Sequence, residues 1–319
     1  GSAKPMTTPP FSITARGSGY SGPRIVLFVE DGAGDWHARR LREALQARGA
    51  QVVTTCLKFC AFDTRLPSGI AIPGFDGELP DGAFVRSVST GSLEQITLRL
   101  GILHALRESG VRVWNDARVI ERCVDKSTAT FLFQKAGLPV PDTRAAEGIE
   151  TAQKFASDAN RPIVVKPLFG SQGNGVRRVA TPDQLPDPSE VGGVYYVQRY
   201  LRGDTDTRFE DWRLFVSRGR VLAAMARVGR TWITNVHQGA EPHAVANEPE
   251  MTHLALEAAR AIGADYAGVD LIRDETGKLL VLEINSNPAW KGLQSVTDVN
   301  IAWTLAEDFL AAVAERLPA

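Results

Sequence analysis

The chain has 319 residues, 44% hydrophobic and 23% charged, an ordinary globular composition at a length suited to two or three subdomains. Its formal net charge of −1 provides no global field to attract nucleic acid or an anionic membrane, and no apolar run approaches the ~20 residues of a membrane helix. The start, GSAKPMTTPP, lacks the apolar core of a secretory signal, and the three cysteines, Cys56, Cys60 and Cys123, are spaced for packing as reduced thiols rather than for zinc.

In chain order, residues 1–22 are polar and rich in Pro, Gly and Ser; they read as a flexible arm, with Gly1–Ser2 as a cloning scar. The run 24–29 (RIVLFV) predicts a buried strand, 36–48 a helix stopped by Gly49, and 51–55 a second strand. Residues 84–86 predict a third strand, 92–108 a helix and 111–114 a strand. Strands alternating with helices imply an α/β domain over 23–120, with a parallel sheet covered on both faces. Gly32 and Gly34 begin a dinucleotide fingerprint, but His37 stands where its third glycine belongs, which argues against a nicotinamide site.

Residues 121–197 open with a helix carrying Asp125–Lys126–Ser127, and Pro139 and Pro141 break the chain after Gly137. A strand over 162–166 ends in Lys166, and KPLFGSQGNGV follows. Gly170, Gly173 and Gly175 let this backbone turn sharply and aim N–H groups at an anion, while Ser171, Gln172 and Asn174 add side-chain donors. No G-K-[ST] follows, so this is not a Walker loop; the alternative is a glycine-rich hairpin beside a surface lysine. A strand over 194–199 precedes a hinge.

Residues 198–319 are strand-rich. Runs 212–216 and 221–228 predict a hairpin around Ser217–Arg218–Gly219, 248–262 a helix, and 301–316 a closing helix. Between the helices lies YAGVDLIRDETGKLLVLEINSNP, two apolar runs joined by a polar link, which reads as a hairpin. Side chains alternate along a strand, so Glu283 and Asn285 share a face that Asp270 on the partner strand can join. Two carboxylates and an amide, all oxygen donors, suit a hard cation such as Mg²⁺. The alternative is two buried acids paired with basic neighbours.

Five motifs carry these residues: DKSTATFLFQKAGLPVPDT, VVKPLFGSQGNGV, DWRLFV, AGVDLIR and LEINSNPAWKGLQSVTDVNIA. Their order and spacing resemble the ATP-grasp superfamily over about residues 84–319. The similarity is closest to the RimK-type α-L-glutamate ligases, and within them to those that add glutamate to one-carbon cofactors such as tetrahydromethanopterin. The segment FVRSVSTGSLEQITLRLGILHAL also has the look of that subgroup.

The resemblance implies an ATP-grasp fold: a Rossmann-like domain (23–120) followed by two α+β lobes (121–197 and 198–319) that clamp ATP. Lys126 and Lys166 would meet the α- and β-phosphates as point charges. The loop from Gly170 through Ser171, Gln172 and Gly173 to Gly175 would cover the β- and γ-phosphates. Gln198, Arg199, Tyr200 and Leu201 would hold the adenine, with Asp204 toward the ribose; the family often has Glu where Arg199 stands. Arg213 would stabilise the transferred phosphoryl group, although on an alternating strand it also reads as an exposed residue, and Asn235 would lie near the phosphates. Asp270, Glu283 and Asn285 would bind Mg²⁺, with Mn²⁺ as the alternative metal.

Arg227 and Arg230 would pair with the carboxylates of glutamate. Trp232 and His237 would meet the acceptor, Arg86 would anchor the carboxylate substrate, and Trp290 and Lys291 would line the cavity, Trp290 reading equally as core. The activity so implied is an ATP-dependent carboxylate–amine ligase that works through an acyl phosphate. It would join L-glutamate to a carboxylate-bearing small molecule, a tetrahydromethanopterin-like or methylofuran-like cofactor or its precursor. The alternatives are a RimK-like ligase acting on a peptide, protein tail or amino-acid carrier, and a non-catalytic ATP-binding subunit. A cytoplasmic homodimer or homotetramer with no nucleic-acid or membrane partner is expected.

Overall fold

The computed structural model describes residues 22–32, 34–170, 175–202, 207–234, 239–246 and 248–315. The chain divides into two units, Gly1–Arg118 with Asn300–Ala319, and Val119–Val299. Among the described residues no helix is long and apolar enough to cross a membrane. The three cysteines are free and buried.

In the first unit, β1 (Arg24–Phe28) is buried along its whole length, as a strand covered on both faces must be. α1 (Trp36–Ala47) starts at Asp35, whose side chain accepts from His37 N, and the chain returns as β2 (Gln51–Thr55). A small hairpin, β3 (Ala61–Phe62) and β4 (Ile70–Ala71), precedes β5 (Gly82–Val85). α2 (Leu93–Glu108) begins with a capping box between Ser92 and Gln95, and β6 (Arg112–Trp114) completes a parallel sheet of order β2–β1–β5–β6.

The C-terminal helix, Ile301–Ala314, also belongs to this unit, which corrects the expectation that 198–319 forms one lobe. Its Phe309 ring lies edge-on to Phe84 at 5.3 Å and 5.6 Å from Trp114, and Arg48 pairs with Glu307 at 2.5 Å. An amphipathic stripe docks wherever a matching apolar face is open, here on the first sheet.

α3 (Ala117–Val124) runs across the boundary at Arg118, and the second unit continues with α4 (Lys126–Lys135), β7 (Thr143–Glu147), α5 (Ile149–Ala159), β8 (Ile163–Lys166), β9 (Arg177–Val179) and β10 (Val194–Arg199). The four strands form an antiparallel sheet of order β7–β10–β8–β9, and α5 covers one face through Ala152 and Ala156 against Ile163, Val165, Tyr195 and Val197. There follow β11 (Phe209–Ser217), β12 (Arg220–Gly229), β13 (Glu241–Ala244), α6 (Pro249–Ile262), β14 (Tyr266–Arg273), β15 (Leu279–Asn285) and α7 (Lys291–Gln294).

These five strands make a second antiparallel sheet, β13–β12–β11–β14–β15. Ser217 pairs with Arg220, leaving a two-residue turn in which Arg218 (φ +50°) and Gly219 (φ +76°) are both left-handed, the turn that matches strand twist in a hairpin. One face of the sheet packs Leu214, Val216, Val269, Leu271 and Val281 against α6. Ala129 and Phe133 of α4 join the same core. α4 is therefore rooted in the five-stranded sheet, although it precedes the four-stranded one in sequence.

Candidate active site

The other face of the five-stranded sheet carries the charges. Arg213 pairs in register with Asp270, Asp270 with Glu283, and Gly268 with Asn285. Directly opposed residues share a face, so Arg213, Asp270, Glu283 and Asn285 stand together. A β-bulge makes this possible. Leu271 faces Val281 while Asp270 faces Glu283, so Leu282 is the extra residue. Without it, Glu283 would keep the phase of Val281 and point into the core. Gly268 leaves room for the arginine: a Cβ there would lie 3.1 Å from both Cδ and Nη1 of Arg213 and 2.8 Å from Pro288 Cβ.

Asp270 is buried and bound by two guanidinium groups. Arg213 donates from Nε to Oδ1 at 2.5 Å and from Nη2 to Oδ2 at 3.2 Å, and Arg227 Nη2 lies 3.2 Å from Oδ2. Burial works against the charge of this carboxyl, but Arg213 and Arg227 overcome it and hold the group below the ordinary carboxylate range. Arg227 also grips Asp211, from Nε to Oδ1 at 2.8 Å and Nη2 to Oδ2 at 3.2 Å. Burial raises the Asp211 carboxyl against the pull of Arg227. Thr234 Oγ1 donates to Asp211 Oδ2 at 2.5 Å, and Arg202 Nη2 donates to Thr234 Oγ1 at 3.1 Å.

The four-stranded sheet supplies one ammonium group, Lys166, and α4 supplies a second, Lys126. Lys166, at the end of β8, donates from Nζ to Gln198 Oε1 at 2.8 Å and lies 3.7 Å from Glu283 Oε1. Gln198 Nε2 donates to Thr143 Oγ1 at 3.0 Å, and the Tyr196 hydroxyl meets Thr130 Oγ1 at 2.8 Å. Lys126, in the first turn of α4, donates to the carbonyls of Pro167 (3.1 Å), Leu168 (3.3 Å) and Gly170 (2.9 Å). Its three N–H donors thus hold the start of the glycine loop. Burial lowers the Lys126 ammonium below the ordinary lysine range, with Lys166 adding to the effect and Glu283 opposing it. Two ammonium groups beside carboxylate and amide oxygens suit a polyphosphate with a hard cation.

Gln198, expected at the adenine, spends its amide on Lys166 and Thr143. Arg199 turns to Glu275 in the β14–β15 turn, as does Arg161 Nη1 at 3.4 Å. Arg227, expected to meet a glutamate carboxylate, is buried between Asp211 and Asp270, because strand register puts an acid directly opposite it. Trp290 is core, edge-on to Phe215 at 5.9 Å. Tyr200 lies under the Arg178 guanidinium (4.5 Å) and edge-on to Trp232 (5.9 Å).

Leu201 joins Ile272 and Leu280, with Leu282 packed alongside, in an apolar wall next to Glu283 in the chain. Arg230 is exposed. Gly170 (φ +140°) and Gly175 (φ +75°) bracket the loop in conformations that favour glycine. In the first unit, Arg86 follows β5, is buried, and has Nε 3.9 Å from Asp35 Oδ2. Ser171, Gln172, Gly173, Asp204, Asn235 and His237 lie outside the described residues. Sequence reasoning missed Asp211, Thr143, Tyr196 and Gly268; for Asp211 and Gly268 the signal is a two-residue spacing from Arg213 and from Asp270.

A lysine-lined four-stranded sheet and a carboxylate-bearing five-stranded sheet make the ATP-grasp fold. The chain aligns with the ATP-grasp ligase PsnB, whose structure was determined with a minimal precursor, Mg and ADP, at a TM-score of 0.69 and 21% identity over 92% of this chain and 98% of that one. It aligns with D-cycloserine synthetase DcsG at a TM-score of 0.68 and 18% identity, covering 91% and 99%.

Residues 123–309 match the RimK-like ATP-grasp domain. The tetrahydromethanopterin:α-L-glutamate ligase of Methanococcus maripaludis is 34% identical over 234 residues, 72% of this chain and 78% of that one. A probable α-L-glutamate ligase of Legionella pneumophila is 28% identical over 84% of this chain and 89% of that one. The chain belongs to the RimK-like ATP-grasp family. It is an ATP-dependent ligase of the amide-forming type, and ligases of this fold use ATP with Mg²⁺.

Proposed function

We propose that this enzyme joins L-glutamate to a carboxylate of a one-carbon cofactor, tetrahydromethanopterin-like or methylofuran-like, or of its precursor. The observation that carries the reading is the meeting of Lys166 with Glu283 across the cleft, beside Asp270 and Lys126. The acceptor class is supported by the named activity of the archaeal relatives.

In this reading Lys126 and Lys166 hold the phosphates, and the wall of Leu201, Ile272, Leu280 and Leu282 takes the adenine. Asp270, Glu283 and Asn285 hold Mg²⁺, or Mn²⁺ in its place, which supplies charge neutralisation on the phosphate oxygens when bound. We assign Arg213 and Asn235 to the transferred phosphoryl group, and Arg230, Trp232, His237 and Arg86 to glutamate and acceptor. A carboxylate is a poor electrophile because its leaving group is oxide. Its oxygen therefore takes the γ-phosphoryl group, and ADP leaves. The glutamate amine then attacks the acyl carbon, the C–O bond to phosphate breaks, and the amine gives up a proton. The protein's part is positioning, charge balance and exclusion of water.

The test is mass spectrometry after incubation with ATP, Mg²⁺, L-glutamate and a panel of pterin and furan acceptors. Glutamylated product and ADP in equal amounts are expected. ADP release that ignores glutamate, or glutamylation of peptides alone, would sink the reading.

A further inference from the structure

The two guanidinium groups on Asp270 are not equivalent. The described bonds of Arg213 go only to Asp270. Arg227 is held from behind by two bonds to Asp211, which is held in turn by Thr234, and Thr234 by Arg202 just beyond β10. A continuous chain of hydrogen bonds and ion pairs runs Arg202–Thr234–Asp211–Arg227–Asp270–Arg213. Along it the two carboxylates alternate with guanidinium groups: Arg227 lies between Asp211 and Asp270, and Arg213 ends the chain at Asp270.

We propose that Asp211, acting through Arg227, is a positioning residue that keeps Asp270 aimed at the metal when Arg213 leaves it. The proposal rests on the reading of Asp270 as a Mg²⁺ ligand and of Arg213 as a phosphoryl contact. If Arg213 turns to the phosphoryl group, the buried Asp270 loses two of its bonds. An uncompensated buried charge is expensive, so a second, immobile cation has to remain.

Arg227 meets that need because Asp211 fixes it. Asp211 also limits Arg227: with one guanidinium edge committed to Asp211, Arg227 reaches Asp270 only through Nη2, at Oδ2. Released from Asp211, Arg227 is free to take both oxygens of Asp270 and compete with the cation. Residues behind a metal ligand that orient it in this way affect metal affinity without touching the metal.

The probe is Mg²⁺ itself, read through ADP binding by titration calorimetry on the full chain at rising Mg²⁺, with Asp211→Asn, Thr234→Val and Asp270→Asn. Asp211→Asn is expected to leave Mg²⁺-free ADP affinity within about twofold and to raise the Mg²⁺ midpoint about tenfold or more. Thr234→Val, which removes one hydroxyl, shifts the midpoint the same way by less. Asp270→Asn removes the Mg²⁺ dependence.

If Asp270→Asn keeps that dependence, the metal reading itself fails. If Asp270→Asn loses it while Asp211→Asn and Thr234→Val keep the native midpoint, the metal reading stands and the role of Asp211 is overturned. Equal losses with and without Mg²⁺ would reduce Asp211 to a structural role and also overturn it. Should Asp211→Asn fail to fold, Thr234→Val decides, and an unmoved midpoint overturns the proposal.

Discussion

Lys166 Nζ donates to Gln198 Oε1 at 2.8 Å, and both side chains are buried. The amide thus fixes an ammonium whose other neighbour is Glu283 at 3.7 Å. A hydrogen bond to a charged group is worth about 1.5–3 kcal/mol, so Gln198→Leu should weaken ADP binding roughly 10- to 100-fold. Calorimetric titration checks this; native affinity would show that Lys166 holds its place without the amide.

Gly268 lies opposite Asn285 and against Arg213. Gly268→Ala forces Arg213 or Pro288 to move, because the added carbon sits 3.1 Å from the arginine and 2.8 Å from the proline. Overpacking of this kind costs about 1–3 kcal/mol, and the displaced guanidinium should lower kcat about tenfold. A coupled ADP assay beside a thermal melt measures both effects. Full kcat in a variant with a lowered melting point would mean that the proline, not the arginine, gives way.

Gly82 lets the C-terminal helix approach the first sheet. A Cβ there would meet Val313 Cγ2 at 2.6 Å, Phe309 Cζ at 3.0 Å and Ile25 Cδ1 at 3.1 Å. Gly82→Ala should destabilise the fold by about 1–3 kcal/mol in denaturant titration, and Val313→Ala in the same chain should recover part of the loss. No recovery would argue that the strain is relieved through Phe309 or Ile25.

The Asp35 carboxyl is lowered from 3.8 to about 2, chiefly by its hydrogen bond with His37 and further by Arg86, against burial. A carboxyl depressed on folding adds stability above its unfolded pKa and loses it as the pH falls through the folded one. The contribution, about 1 kcal/mol after allowing for partial exposure, should be complete above pH 4 and vanish toward pH 2. The stability gap between the native chain and Asp35→Asn, followed by denaturant titration, should close over that window. A gap that stays constant from pH 5 to pH 2 would rule it out.

Much of the fold was legible because its signals are short-ranged. The run RIVLF marks a buried strand, Gly49 stops a helix, and Ser217–Arg218–Gly219 announces a hairpin. The partners of α4 and of the C-terminal helix were not legible. An apolar stripe records that a helix is covered without recording by which sheet, and both helices pack outside the segment their chain position suggests.

The site divides in the same way. Residue types and their order along the chain, with Lys126, Lys166, Arg213, Asp270, Glu283 and Asn285 in five motifs, determined by themselves the family and the type of bond made. Only the tertiary structure decided which charge answers which. Arg227 faces Asp211 because of a strand register, Glu283 faces the cleft because of one bulged residue, and Gln198 serves a lysine because β10 lies beside β8. Electrostatic energy depends on distance and burial across strands far apart in sequence, and neither quantity exists until those strands have paired.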